Sequence, residues 1–428
     1  QPATGDTLYS IGSSTKAFTS FALGTLVAEG RIAWDQPVKE VLPDFGLFDE
    51  YAEDHMTIHD LLTHRSGLPR HDLAWYVAPD ATRDELLAAM DHMEPNARLG
   101  ERFQYQNHRY MAAGMVGEAG TGKTYEEYVD EVILSSLGME RTVFKTPAST
   151  GAVGELDEAL PYDFSDGEIE LTDFYNITAM GPAGSIRSSA TEMAHWVQML
   201  LDGGEWKGTE LLPESVIQHQ MSNHSSMGQY PSRTDIVSTG YGMGWFIDSY
   251  KGHYYVQHGG NMNGLTAMVA LFPLDEVGIV VLANRGGTGL PAKVAHVIAD
   301  RVLGLESEDW LAIAEPNAEA SDESAEDAKS DSDNEEAEAD AQRIPGTNPA
   351  RALAQYAGTY GHPAYGQMTV KLQPAADGSA ESLTIQTGDE VWPLVHWHYE
   401  VFHAEGDDLP PNLDELDLHF VDDSRGRV

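Results

Sequence analysis

The sequence predicts a mixed α/β (α+β) catalytic region followed by a small all-β domain, and three observations carry the prediction. From residue 1 to about 310, amphipathic helical stretches alternate with short apolar runs of β character. From 312 to 347 the chain is low-complexity Ala, Glu, Asp and Ser with almost no large apolar residue, the composition of a disordered linker. After it come short β-propensity runs separated by Gly, Pro and Asp turns. The expected division is a catalytic region at 1–311, an acidic linker at 312–347 and an all-β, barrel-like domain at 348–428. With 428 residues and 41% hydrophobic content the chain can bury a large core, and it shows no internal repeat.

Each element has a local cause. Thr15 to Glu29 sets Phe18, Phe21, Ala22 and Leu26 at mostly three- and four-residue spacing and is stopped by Gly30, a helix with its terminating glycine. Ser188-Ser189 opens a second helix through Met193, Trp196, Val197, Leu200 and Leu201 to Gly203. The apolar run Gly278 to Ala283 reads as a buried strand leading into a helix near Lys293 to Leu303. In the last domain Tyr356–Tyr360, Met368–Leu372, Ser382–Gln386 and Val391–Phe402 are the strands. Leu416–Phe420 starts another close to Val428, which leaves the sheet open to being incomplete at this end. Trp392, Trp397, Tyr399 and Phe402 read as the core of this domain.

Composition removes whole classes of function. The 69 acidic residues outnumber 25 basic ones for a net charge of −44, which argues against a nucleic-acid partner. Glu315 to Arg343 carries 12 acidic residues against Lys329 and Arg343, so most of the excess lies elsewhere and the acidity is global. Such a surface repels itself in dilute buffer and is screened when the Debye length falls to ~3 Å near 1 M salt, so adaptation to high salt is expected. The lack of cysteine excludes disulfides, thiolate metal sites and a thiol nucleophile. No apolar run reaches the ~18 residues of a membrane span. Gln1-Pro2-Ala3-Thr4 has neither the basic start nor the apolar core of a signal peptide, so any export sequence was removed or never included.

The chemistry concentrates in three short motifs. Ser13-Ser14-Thr15-Lys16 places a hydroxyl three residues before an amine at a helix start, so the two share a face. A neutral Lys16 could take the Ser13 proton, and the helix N-terminus offers N–H groups to a developing oxyanion. Tyr105-Gln106-Asn107 follows 92 residues after Ser13, and Gln257-His258-Gly259-Gly260-Asn261-Met262 comes later still. The histidine pairs His59/His64, His253/His258 and His396/His398 lack H-E-x-x-H spacing and any cysteine partner, so no metal site is expected. His64 and Arg65 read as anchors of a loop beside the site.

In carrying S-x-x-K, Y-x-N and H-x-G in this order, the chain resembles the serine β-lactamase and penicillin-binding protein superfamily. The closest likeness is to its class C β-lactamase-like branch, which includes esterases and D-amino-acid peptidases. Met56–Pro69, Leu137–Thr142 and Gly181–Gly184 resemble further signposts of that branch, and the resemblance covers about residues 6 to 305. It implies a central antiparallel sheet flanked by helices, a helical lobe and a cleft between them. It further implies Ser13 as the acylated nucleophile, with Lys16 and Tyr105 sharing the proton traffic and either one as the base. Asn107 would bind Lys16 and a substrate amide. His258-Gly259-Gly260 would line the cleft, with the Asn261 N–H joining that of Ser13 to hold the oxyanion.

No cofactor is implied, and the partner is a small-molecule or short-peptide substrate. His258 departs from the lysine of penicillin-directed members, which weakens the anchor for a β-lactam carboxylate. The expected activity is serine hydrolysis of small esters or D-amino-acid peptides. β-Lactam hydrolysis and a non-catalytic penicillin-recognising sensor are the alternatives, and family habit suggests a secreted or cell-envelope setting. Family members carry some tens of residues before S-x-x-K, whereas 12 precede Ser13 here, so either the chain is a fragment or one sheet edge is exposed.

Overall fold

The computed structural model describes residues 2–145, 157–165, 168–228, 233–313, 344, 346–374, 380–387, 390–405 and 417–421. Most of the acidic stretch read as a linker therefore lies outside the described residues. The chain forms two compact units, one from residues 1–71 with 82–325 and the other from 72–81 with 326–428.

In the first unit, helix α1 (Thr15–Ala28) is buried from Thr15 through Leu26. The expected apolar stripe is thus a minor part of its contacts, because neighbours surround the helix on every side. It ends in a Schellman closure: Gly30 at φ +70° lets its own N–H reach the Val27 carbonyl while the Arg31 N–H reaches that of Leu26. Helix α2 (Asn107–Thr121) lies against α1 and ends at Gly122, also left-handed. Gly114 of α2 admits the ring of Pro182, since a β-carbon there would sit 2.2 Å from the proline Cγ. Helix α3 (Ala190–Leu201) starts where the sequence indicates, with the Ser189 side chain accepting from the Glu192 N–H. Its Trp196 stacks on Phe18 at 4.0 Å and meets Phe21 edge-on at 5.3 Å, which ties α3 to α1.

A five-stranded antiparallel sheet follows: β1 (Ile236–Tyr241), β2 (Phe246–Tyr250), β3 (His253–Met262), β4 (Leu265–Phe272) and β5 (Val277–Ala283), paired in chain order. All eight residues of β4 are buried, so both faces of the sheet are covered. Met268, Ala270 and Phe272 pack with Ala295 and Ala299 of helix α4 (Leu290–Val302). On the opposite face Gly278 makes room for Val197 of α3, whose Cγ1 would lie 2.1 Å from a β-carbon there. The run 278–283 differs from its sequence reading. It is an outer strand with Ile279 as its one buried residue, and its apolar composition comes from helices packing over it.

The second unit contains a six-stranded antiparallel meander: β6 (Gly358–His362), β7 (Gly366–Gln373), β8 (Ser382–Thr387), β9 (Glu390–His398), β10 (Val401–Ala404) and β11 (Asp417–His419). Alternate residues point inward, so Leu383 and Ile385, Trp392 and Leu394, and Phe402 and Ala404 share one core with Tyr356 and Phe420. Among the described residues the first and last strands do not pair, giving an open half-barrel rather than a closed one. The single run 391–402 is in fact two strands turning at Tyr399, which takes φ +44° and is 53% exposed, so Tyr399 leaves the expected aromatic core, as does the half-buried Trp397, while Trp392 and Phe402 stay in it. No helix among the described residues is long and apolar enough to cross a membrane.

Because Trp196 joins α3 to α1 through two phenylalanines, Trp196→Ala should lower stability by about 3–5 kcal/mol. Urea unfolding followed by circular dichroism measures this, and a loss below about 1 kcal/mol would show that the stack is not a core contact.

Candidate active site

The chain enters α1 through a tight turn at Gly12–Ser14. Gly12 has φ +48°, and a β-carbon on it would lie 2.8 Å from both the N and the O of Asn261. The contact is reciprocal: a β-carbon on Gly260 would come within 1.9 Å of the Ile11 carbonyl oxygen and 3.0 Å of the Ser13 nitrogen. Main chain therefore meets main chain, and the Ser13 and Asn261 backbone segments lie side by side. Strand pairing leaves room for this. β2 accompanies β3 only as far as Gln257, so from His258 to Met262 strand β3 is held by β4 alone and its other edge faces the start of α1. Gly259 has no such constraint, its nearest neighbour to a β-carbon being the Ala267 oxygen at 3.8 Å.

At the second residue of α1, the fully buried Lys16 Nζ lies 2.9 Å from Ser13 Oγ, 2.8 Å from Asn107 Oδ1 and 3.0 Å from the Ala183 carbonyl oxygen. The last two oxygens can only accept. A neutral amine can donate to both and still turn its lone pair toward the Ser13 hydroxyl. Asn107 is the first residue of α2, and Ala183 sits in the short helical turn Gly181–Gly184. Tyr105 is buried with the Lys16 Nζ 4.6 Å from its ring centre and the Arg70 guanidinium at 5.3 Å. His64, held in the left-handed region at φ +55°, packs on Tyr105 at 4.3 Å and on Tyr241 at 4.8 Å, while its Nδ1 accepts from the Gln106 N–H. Burial, together with Lys16, Arg109, His258 and Arg70, holds His64 well below the usual histidine range. Arg65 clasps Gly100 with its carbonyl and its guanidinium, so the His64–Arg65 pair fixes the loop as expected.

His258 is buried, with Nδ1 at 2.6 Å from the Gly259 carbonyl oxygen and Nε2 at 3.1 Å from the Tyr241 hydroxyl. Burial first, and then Lys16, push it down to about 3. Ser14 Oγ donates to the His258 carbonyl, and Asn261 Oδ1 accepts from Thr266 Oγ1. The structure thus gathers Ser13, Lys16, Tyr105, Asn107, His258, Gly260 and Asn261 into one place, with Gly259 in the strand between. Gly12, Ala183 and Tyr241 join them without having been singled out. Gly12 immediately precedes the Ser13–Lys16 motif, Ala183 lies within Gly181–Gly184, and Tyr241 lies in a glycine-rich run, 240–245, that is itself a sequence signal. Among the described residues no group of His, Asp and Glu gathers as a metal site.

Residues 1–303 match the beta-lactamase family. This chain belongs to that family. Residues 342–428 match a domain of unknown function, DUF3471. The unguisins hydrolase ungD' of Aspergillus campestris is 27% identical over 86% of this chain and 69% of its own length. Among solved structures, the octameric penicillin-binding protein homologue from Pyrococcus abyssi is 25% identical with a TM-score of 0.61, covering 94% of this chain and 82% of that one. The D-stereospecific amidohydrolase from Streptomyces sp. is 25% identical with a TM-score of 0.58, covering 71% and 88%. This beta-lactamase-family chain is a hydrolase of the serine β-lactamase and penicillin-binding protein superfamily, with the fold that its motifs implied.

Two outcomes follow from this geometry. Gly260→Ala drives a methyl group into the Ile11 carbonyl, so labelling of Ser13 by a fluorophosphonate, read by intact mass, should fall by about 100-fold or more, while Gly259→Ala keeps the fold. The buried histidines also set the acid limit. His258 at about 3, and His296 at about 4 beneath Tyr250 and Trp310, are neutral in the fold. Each takes up a proton on unfolding below about pH 6.5, the ordinary histidine value. Above that pH neither contributes; below it, each subtracts about 1.4 kcal/mol per pH unit. In concentrated salt, where carboxylate repulsion is screened, the urea midpoint should fall from pH 6.5 to 4.5 and fall less steeply in His296→Gln.

Proposed function

We propose that this protein is a serine acyl hydrolase acting on small esters or D-amino-acid-containing peptides through an acyl-enzyme on Ser13. The observation that carries the reading is the 2.9 Å approach of Lys16 Nζ to Ser13 Oγ, with Asn107 and Ala183 occupying two of its donors. Ser13 Oγ attacks the carbonyl carbon while its proton passes to Lys16 or Tyr105. The Ser13 and Asn261 N–H groups hold the oxyanion of the tetrahedral intermediate. Collapse breaks the bond to the alcohol or amine, which leaves with that proton. Water, deprotonated by the same pair, then attacks the ester of Ser13; the acyl–Oγ bond breaks, Oγ takes up that proton from the pair, and the acid is released. The Streptomyces D-stereospecific amidohydrolase supports the D-amino-acid arm of this proposal.

The neutral, buried His258 supports esters and peptides over penicillins, since it presents no positive charge to a β-lactam carboxylate. Adaptation to high salt belongs to the same proposal, on the strength of the −44 net charge.

Hydrolysis of a p-nitrophenyl ester, a D-amino-acid amide and a chromogenic cephalosporin, from low salt to about 3 M NaCl, tests the reading. Turnover of the first two should rise with salt, vanish in Ser13→Ala and fall by about 10²–10⁴-fold in Lys16→Met. Dominant cephalosporin turnover would make the protein a β-lactamase. A folded chain that never acylates on Ser13 would be a binding protein.

A further inference from the structure

His258 occupies the position where a penicillin-directed relative would present a lysine to substrate, yet both of its ring nitrogens are engaged by the protein. Nδ1 lies 2.6 Å from the Gly259 carbonyl oxygen, which can only accept, so Nδ1 carries the hydrogen. The opposite tautomer would press a lone pair against that oxygen. Nε2 is then an acceptor, and the group beside it is the Tyr241 hydroxyl at 3.1 Å. That hydroxyl also meets the Tyr110 hydroxyl, whose own hydrogen goes to the Leu62 carbonyl, so Tyr241 has two acceptors for one hydrogen, and the Nδ1–Gly259 contact decides in favour of Nε2. Tyr241 is fully buried, its N–H donates to the Ser225 carbonyl, its own carbonyl accepts from the His224 and Ser225 N–H groups, and its ring is packed by His64, Phe103 and Phe246.

We propose that Tyr241 is a positioning residue: by donating to His258 Nε2 it fixes the Nδ1–H tautomer, which in turn pins the Gly259–Gly260 peptide beside Ser13. The inference rests on the acyl-transfer reading of the site. Two successive glycines have no side chains to hold them, and here β3 has lost β2 as a neighbour. A side chain grasping the Gly259 carbonyl supplies the missing restraint two residues before Asn261. Among the described residues the groups facing the imidazole are Lys16 from α1, Tyr105 and His64 from the segments before α2, and Tyr241 from β1, none of them a carboxylate. A charged imidazole would therefore meet Lys16 without compensation. His258 consequently offers substrate neither a base nor an anchor, and recognition along this strand falls to the main chain of Gly260 and Asn261.

The experiment is ¹⁵N NMR of the full chain labelled at histidine ring nitrogens, with the His258 signals assigned by their loss in His258→Gln. Wild type should show neutral, Nδ1-protonated His258 from pH 8 down to at least 5. Tyr241→Phe, which keeps the ring, should show mixed tautomers, an imidazole that charges at higher pH, and kcat on the ester lowered by about 10- to 100-fold with KM nearly unchanged. An Nε2-protonated His258 in wild type, or an unchanged tautomer or kcat in Tyr241→Phe, would overturn the proposal. The ring signals need no turnover. Wild-type inactivity with the expected tautomer would reject the acyl-transfer reading and the positioning role together, while a wrong tautomer in an active enzyme would reject the positioning role alone.

Discussion

Everything near the cleft is arranged around one nitrogen. Lys16 Nζ has no exposure to water, and burying an amine without partners costs several kcal/mol, so the fold must deliver acceptors to it. It does so from two distant stretches of chain, Asn107 at the first residue of α2 and Ala183 in the turn before α3, while Ser13 approaches from the turn just before α1. These contacts fix how α1 and α2 lie together and where the 181–184 turn must pass. The small residues Gly114 and Gly181–Gly184 are the packing consequence.

Around that nitrogen basic side chains gather, with Asp60 acting on Arg109. Lys16, Arg70 and Arg109 all act on His64, in a protein whose net charge is −44. The buried imidazoles answer by staying neutral. Arg109, fully buried in the first turn of α2, is itself pushed down to about 9 by that burial. A group that becomes negative during reaction is favoured in such surroundings, and a second stable cation is not.

The fold class and most of the site were legible because their signals are local. Ser13 and Lys16 share a helix face by spacing alone, the Ser189 cap and the Gly30 stop are short-range signals, and the half-barrel strands alternate visibly. What escaped depends on register or on surroundings. The Tyr241 hydroxyl finds His258 only because β1, β2 and β3 pair as they do. The apolar run 278–283 looks the same in sequence whether it is central or outermost, since helices can cover either. α1 shows a stripe in sequence, but three-dimensional neighbours bury it all round. Residues 72–81 cluster with the half-barrel unit although residues 82–325 lie between, a grouping that no local signal in the sequence carries.

The reciprocal seating of Gly12 and Gly260 has a consequence for how this site can change over generations. Each glycine is confined by the other segment's backbone, Gly12 by Asn261 and Gly260 by Ile11 and Ser13. Backbone atoms are common to every amino acid, so no substitution elsewhere can trim them to make room. A side-chain clash can be relieved by a second mutation; this one has no suppressor of that kind. The two positions are closed to gradual drift, while Gly259, with open space beside it, is where variation in the cleft wall can be explored.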